Sequence, residues 1–512
     1  MVETHQYPEG AKRLAIIAVV MAASIMQILD STIANVALPH MRATLGATQE
    51  QISWVLTSYI LATAITIPAT GFLEGLVSRR TLFLTSLIGF TLSSAFCGVA
   101  WSLPAMIFAR ILQGAFGAFI SPLAQAIMID SSPPEKRAQS MMIWGMGVMV
   151  APLLGPVLGG WLTDQASWRW VFFVNIPIGA LTIIFAATLI DKTQRIARSF
   201  DWRGYLMIAL GLASLQLALD RGTSQDWFSS IEIIFELGLA VSLLWMFIIH
   251  TRSASSPIIA REVFADRNMM VACMVMLIAS GSLIVGATFI TLMLQGVMGY
   301  GTTDAGLMSV PRGIAMIIAM LFAGRLNGKI DNRLMLGFGL ICVGAGYVIM
   351  TGSALGMDGR LIITSGLLQG LGFGFIMLPT NMLGFSTLAA RFRTEGASIY
   401  ALARNIGSSI LIALGTASIA RDVQISHSDL SSNVTNQTIP FMNAGLLEQL
   451  GFRGDAVMSA LDLELGRQAL MIAYDNVFFL SALLCFAILP LILFVREGKA
   501  GATGDAPQIE AH

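Results

Sequence analysis

One aspartate inside an apolar run offers the clearest chemistry in this chain. Asp30 lies in Gln27-Ile28-Leu29-Asp30-Ser31-Thr32-Ile33-Ala34-Asn35-Val36-Ala37-Leu38-Pro39. That stretch closes a run of about 25 mostly apolar residues beginning at Leu14, long enough to cross a bilayer. A carboxylate at that depth costs at least about 2.5 kcal/mol to insert, so it must face a cavity or hold a partner. Arg110 is the candidate partner. At 1.5 Å per residue, Asp30 falls about 12 Å below the outer end of the first span. Arg110, entering from Leu103, falls about 10 Å below the same face. Pairing favours the charged acid and desolvation the neutral one, so a change in pairing switches protonation. The chemistry expected is a proton-carrying carboxylate read by an arginine; the alternative is a static buried ion pair. Gln27 and Ser31 share the helical face of Asp30 and predict a water-lined cavity.

Other polar side chains within apolar runs are candidates for the substrate. Arg404 and Asn405 sit mid-span, where an arginine facing lipid is implausible. Asp220 ends one span and Asp475 opens another, and either could serve as a cap or line the cavity. Ala151-Pro-Leu-Leu-Gly-Pro-Val-Leu-Gly-Gly160 gathers Pro152, Gly155, Pro156, Gly159 and Gly160, a pattern that predicts a hinge or tight helix approach in a membrane. Gly71, Glu74, Arg79 and Arg80 form a charge cluster after the second span. No catalytic constellation, metal-ligand spacing or nucleotide-binding loop accompanies them, so an enzyme is not expected.

The elements that position these residues follow from composition. Hydrophobic residues make up 55% of the chain and charged ones 12%, and the mean hydropathy is +0.75. A soluble globule could not cover so much apolar surface. The four cysteines all lie in apolar runs and read as small core residues. Apolar runs give fourteen spans, near 14–38, 52–73, 82–101, 103–129, 139–163, 170–190, 204–220, 230–249, 269–298, 303–324, 334–353, 360–387, 395–420 and 471–495. On this count the termini and even-numbered loops hold 20 of the 30 Lys and Arg. The positive-inside rule then places both termini in the cytoplasm. A polar outer loop is expected at 421–470.

Gln113-Gly-Ala-Phe-Gly-Ala-Phe-Ile-Ser-Pro122 echoes Gln369-Gly-Leu-Gly-Phe-Gly-Phe-Ile-Met-Leu-Pro379, and Gly71–Arg80 echoes Gly324–Arg333 at nearly the same offset. The expected architecture is an all-α polytopic membrane protein of two six-helix bundles plus two inserted helices. Its parts are a cytoplasmic N-terminus (1–13), a first bundle (14–190), an inserted pair with flanking loops (191–268), a second bundle (269–495) and a cytoplasmic tail (496–512). Two similar bundles with a site between them is the layout of alternating-access transporters. Span nine, the counterpart of the first, has no acid at the position of Asp30.

Leu29–Pro39, Arg110 with Gln113-Gly114, and Gly155–Gly160 resemble motifs of the major facilitator superfamily. The span count resembles its 14-span drug:proton antiporter branch, and Trp168–Gly179 and Leu219–Ser230 look closest to EmrB-type members. The resemblance implies a major facilitator fold and proton-driven export of hydrophobic or amphipathic compounds. It assigns Asp30 and Arg110 to proton coupling and the Gly155–Gly160 stretch to the antiporter motif, and Gln113 is a further candidate for the substrate cavity. It implies no cofactor beyond the proton gradient and no nucleic acid. In a Gram-negative host it implies an inner-membrane pump working with a periplasmic adaptor and an outer-membrane channel. The alternatives are a dedicated exporter of one compound (a fatty acid, siderophore or antibiotic) and a non-transporting receptor or scaffold. The family's loop after span two normally reads Gly-x-Leu-Ala-Asp-Arg-x-Gly-Arg-Arg. Here Gly75, Leu76 and Ser78 replace its Asp, Arg and second Gly, which predicts an altered cytoplasmic gate.

Overall fold

The computed structural model describes residues 8, 10–191, 199–432 and 454–495. The terminal tails beyond these limits and the centre of the outer loop therefore lie outside the described residues. Fourteen spans follow in order: α1 (Gly10–Leu45), α2 (Glu50–Val77), α3 (Arg79–Val99), α4 (Leu103–Asp130), α5 (Pro134–Gln165), α6 (Trp170–Leu189), α7 (Trp202–Arg221), α8 (Ile231–Ser253), α9 (Arg267–Val297), α10 (Asp304–Leu326), α11 (Asn332–Met350), α12 (Gly359–Ser386), α13 (Ala390–Ser432) and α14 (Leu461–Phe494). Each is long and apolar enough to cross a bilayer, counting the bent α5 as one span. Among the described residues no strand forms, as expected where every backbone polar group must be satisfied within its own segment.

Local sequence explains the starts and breaks. Thr48 and Gln51 form a reciprocal capping box ahead of α2, and Ser102, Asp201 and Asp266 cap the helices that follow them. Pro68 falls where α2 tightens to a 3-10 turn at Ile67–Ala69. In α5 the parts Pro134–Pro152 and Val157–Gln165 are bent by 44°; the Pro/Gly-rich stretch lies at that break.

Packing repeats between the two bundles. In the first, α1 packs on α5, α2 on α4, and α3 on α4 and α6; in the second, α9 packs on α13, α10 on α12, and α11 on α12 and α14. The inserted helices α7 and α8 pack on each other, and α7 also touches α2 and α13. His250 at the end of α8 contacts Asp201 at the start of α7, 2.8 Å apart, which ties the pair together. Side chains such as Leu92, Phe185, Ile231, Val241, Trp245 and Leu493 stand exposed around the outside. On a soluble surface such a girdle would aggregate; here it is the face offered to lipid.

The outer loop differs from expectation. Helix α13 continues unbroken to Ser432, and the helix carrying α14 begins at Gly454. Two helical arms therefore extend past the spans where a polar loop was expected over 421–470. Contacts between the extension of α13 and α14 hold it: His427 to Asp462 at 3.0 Å, and Asn476 donating to Asp422 at 3.0 Å. Polarity marked these residues as outside the membrane, but their mutual pairing lets the helices persist there.

Candidate functional site

The first bundle encloses a carboxylate. Asp30 on α1 is 1% exposed, while Arg110 and Gln113 on α4 and Asn175 on α6 are fully buried. Arg110 Nη1 donates to Asp30 Oδ2 at 2.8 Å; Gln113 Nε2 and Asn175 Nδ2 donate to Oδ1 at 2.8 and 2.7 Å. Both carboxylate oxygens are thus engaged by three side chains from two helices that α1 must contact. Arg110 is itself held in place. Its Nε donates to the Val55 carbonyl at 3.0 Å and its Nη1 also to Gln113 Oε1 at 2.7 Å. The Tyr59 ring lies 4.2 Å from the guanidinium carbon, a cation–π arrangement. Asn175 also donates to Ser94 Oγ at 3.0 Å, and Ser94 to the Phe172 carbonyl at 2.9 Å. A low-dielectric cage of this kind strengthens each bond and penalises any orphaned partner. Arg110 Nη2, Asn175 Oδ1 and Gln27 Oε1 are buried with no hydrogen-bond partner, leaving acceptors and a donor free to serve a second arrangement.

Not every polar residue of α1 joins this cage. Gln27 is nearly buried beside it. Ser31 is half-buried and donates to its own helix at the Ile28 carbonyl, 2.7 Å away. Behind Asp30, α5 comes close to α1: a Cβ on Gly155 would run into the Thr32 side chain, and one on Gly159 would lie 3.3 Å from the Ile33 carbonyl oxygen. Gly160 faces open space, and Pro152 is half-buried; the side chain of Pro156 lies outside the described set. Gly155 and Gly159 therefore bring a second backbone against the turn that follows the acid.

A second cluster joins the two bundles at one end. Arg79 pairs with Glu74 at 2.7 Å and with Asp130 at 2.5 Å, and donates to Thr394 Oγ1 at 3.2 Å. Arg393 pairs with Asp130 across the bundles. Glu395 accepts from the Ala260 amide at 2.7 Å and packs where Gly71 leaves room for it. Arg80 instead donates to the Ala187 carbonyl within the first bundle. Deeper in the same half, Gln125 donates to Asn381 and Arg404 reaches Ser121 at 3.4 Å. Helix α13 meets α2 and α4 through their segments Ile67–Val77 and Ile120–Asp130, both toward this end.

The remaining candidates are dispersed. Asn405 is half-buried on α13. Asp220 is exposed and accepts from Gln216 at 2.8 Å and from Thr57. Asp475 is half-buried and accepts from Ser353, with Oδ1 unpartnered. Neither acid belongs to the Asp30 cage. Sequence reading had passed over Asn175, Asp130, Arg393 and Glu395. For Asn175 the available signal was a lone amide within an apolar run; for Asp130 and Arg393 it was opposite charges at the ends of distant spans.

With this geometry in view, comparison with known proteins decides the family. The Major Facilitator Superfamily profile matches residues 20–412. This chain belongs to the major facilitator superfamily. It is a multi-pass membrane transporter. It is 32% identical to the multidrug export protein EmrB of Escherichia coli K12, over 97% of this chain and 98% of that one. It is 30% identical to the fatty acid resistance protein FarB of Neisseria gonorrhoeae, over 92% and 94% respectively. Among solved structures it resembles the proton:xylose symporter XylE, with a TM-score of 0.59 at 13% identity, covering 94% and 96% of the two chains. That likeness concerns the fold alone.

Proposed function

We propose that this transporter exports hydrophobic and amphipathic compounds from the cytoplasm by alternating access, driven by protons that re-enter through Asp30. The observation that carries the reading is the sealed carboxylate: an acid at membrane depth, bonded by Arg110, Gln113 and Asn175, with α5 packed against the next turn of its helix. Such a group binds a proton only when its donors let go, which couples protonation to helix movement. A static ion pair would need neither the unpartnered Gln27 and Asn175 oxygens nor the close glycine contact.

Orientation follows from charge. The positive-inside rule puts Arg79, Arg80 and Arg393 in the cytoplasm, so the ionic cluster is a closed cytoplasmic gate and the state is outward-facing. The named relatives, one exporting multiple drugs and one conferring fatty acid resistance, support outward transport. Similarity to EmrB-type exporters extends the reading to a tripartite pump of the inner membrane, in which the helical extensions at the end of α13 and before α14 meet a periplasmic adaptor. A dedicated exporter of a single compound is the second reading, favoured by the narrower name of the FarB relative.

The test is reconstitution in liposomes with an imposed pH gradient, following proton movement as a panel of hydrophobic cations and weak acids is added. Substrate-dependent proton flux that vanishes in Asp30→Asn is expected. Flux unchanged by that substitution would remove Asp30 from the mechanism, and response to one compound alone would favour the dedicated exporter.

A further inference from the structure

The second bundle holds, at the place that mirrors the Asp30 cage, a cation without an acid. Gln113 and Gln369 are 256 residues apart, and the same offset carries Asp30 to Gly286. Three polar tips converge on Gly286. A Cβ there would lie 2.9 Å from Arg312 Nη1, 2.8 Å from Gln369 Oε1 and 2.7 Å from the Tyr347 hydroxyl. Arg312 comes from the middle of α10, Tyr347 from α11 and Gln369 from α12. Gln369 is held by donation from its Nε2 to Ser365 Oγ at 3.0 Å, yet its buried Oε1 has no partner. The Tyr347 hydroxyl donates to the Ser282 carbonyl. Among the described residues no carboxylate lies within ion-pair distance of Arg312, in contrast to Arg110. Arg312 is only partly buried as a residue.

An arginine keeps its charge in any protein environment, and one at mid-membrane without a counter-ion is costly unless something supplies the negative charge. We propose that the missing partner is the substrate: Arg312 receives the carboxylate headgroup of an amphipathic acid, which serves it as Asp30 serves Arg110. A planar guanidinium suits a carboxylate because two parallel N–H groups can face its two oxygens. The absence of a side chain at Gly286 is what lets the tips of Arg312, Tyr347 and Gln369 gather there. The two bundles then divide the work, the first keeping its own carboxylate for the proton and the second borrowing one from the cargo. This deepens the export reading above and rests on it for the direction of transport.

Binding to the purified full-length protein in nanodiscs tests the idea apart from transport. The probes are 11-(dansylamino)undecanoic acid and its methyl ester, followed by dansyl fluorescence. Wild type should bind the acid at least about 10-fold more tightly than the ester, since each tenfold corresponds to one charge-assisted contact of ordinary strength. Arg312→Gln should erase that preference while leaving ester affinity unchanged, and Arg312→Lys should restore part of it. Gly286→Asp offers an independent variant, checked for folding by its thermal midpoint because the buried Tyr347 hydroxyl must shift to admit it. It supplies an internal carboxylate to Arg312 and should also abolish the preference for the acid. Equal binding of acid and ester by wild type would overturn the proposal, as would a parallel loss of both probes in Arg312→Gln with the preference intact in Gly286→Asp. Asp30→Asn should keep the acid preference but lose proton flux in liposomes. Failure of proton coupling and failure of the carboxylate site are therefore read from different experiments.

Discussion

Asn175 Nδ2 lies 2.7 Å from Asp30 Oδ1 and 3.0 Å from Ser94 Oγ, so one amide ties the acid of α1 to both α6 and α3. The bond makes α6 part of the Asp30 cage. Replacing Asn175 with Leu keeps the Arg110 pair but strips Oδ1 of one of its two donors. A lost buried bond to a charged group costs about 1.5–3 kcal/mol. The expected result is a lower unfolding midpoint in detergent together with reduced substrate-dependent proton flux. Full flux from a destabilised protein would make Asn175 structural only.

Asp30 and Arg110 should behave as one energetic unit. Removing either partner of a buried pair leaves an uncompensated charge and costs about 3–5 kcal/mol, whereas removing both is far milder. Arg110→Leu alone should therefore be destabilised more than the Asp30→Asn/Arg110→Leu double variant. Chemical denaturation of the four proteins closes the cycle. Simple additivity would mean that the 2.8 Å contact carries no coupling.

Backbone conformation singles out Ser78. Its φ is +82°, in the region glycine tolerates best, and the family's loop normally has glycine at this position. Its hydroxyl lies 3.1 Å from Thr81 Oγ1, which accounts in part for a serine there. Strain of this kind amounts to about 1–3 kcal/mol, so Ser78→Gly should raise the thermal midpoint. An unchanged or lower midpoint would mean that the side-chain contact outweighs the strain.

Glycines of the antiporter motif should differ in their tolerance. At Gly155 a Cβ would press on Thr32, two residues beyond the acid, whereas at Gly160 it would meet nothing within 4 Å. Overpacking costs about 1–3 kcal/mol. Gly155→Ala should lower both stability and flux, and Gly160→Ala should leave both near wild type. Equal effects at the two positions would remove the α1–α5 contact from the mechanism.

Much of this architecture was legible because membranes constrain chains so strongly. Apolar runs gave the spans, and depth counting from Leu38 and Leu103 put Asp30 level with Arg110, which lie 2.8 Å apart. The internal repeat marked Gln113 and Gln369 as equivalents. What sequence could not convey was side-chain direction. Ser31 was expected beside Asp30 but bonds back to its own helix, and Asn175 entered from a span with no charge to flag it. The stretch 421–470 reads as polar loop, since nothing local reveals that His427 would meet Asp462 and Asp422 would meet Asn476.

On the proposed alternating-access reading, the ionic cluster at the Arg79 end sets the balance between the two faces of the transporter. Asp130 accepts from Arg79 of its own bundle and from Arg393 of the other, and these groups are 11–25% exposed. Such partly solvated pairs hold less energy than the sealed Asp30 pair, as the proposed gate requires. Losing the cross-bundle contact at a cost of about 1–2 kcal/mol shifts a two-state balance roughly 5- to 30-fold. Asp130→Asn should therefore populate the inward-facing state. In a background with the four native cysteines replaced, a cysteine at Ala126, fully buried beside Gln125, reports the change. Its labelling by a maleimide reagent should accelerate in Asp130→Asn and slow again when bound substrate favours the outward-facing state. Labelling that stays as slow as in wild type would show that Gln125–Asn381 and the α5–α10 contact, rather than the ionic cluster, hold this end shut.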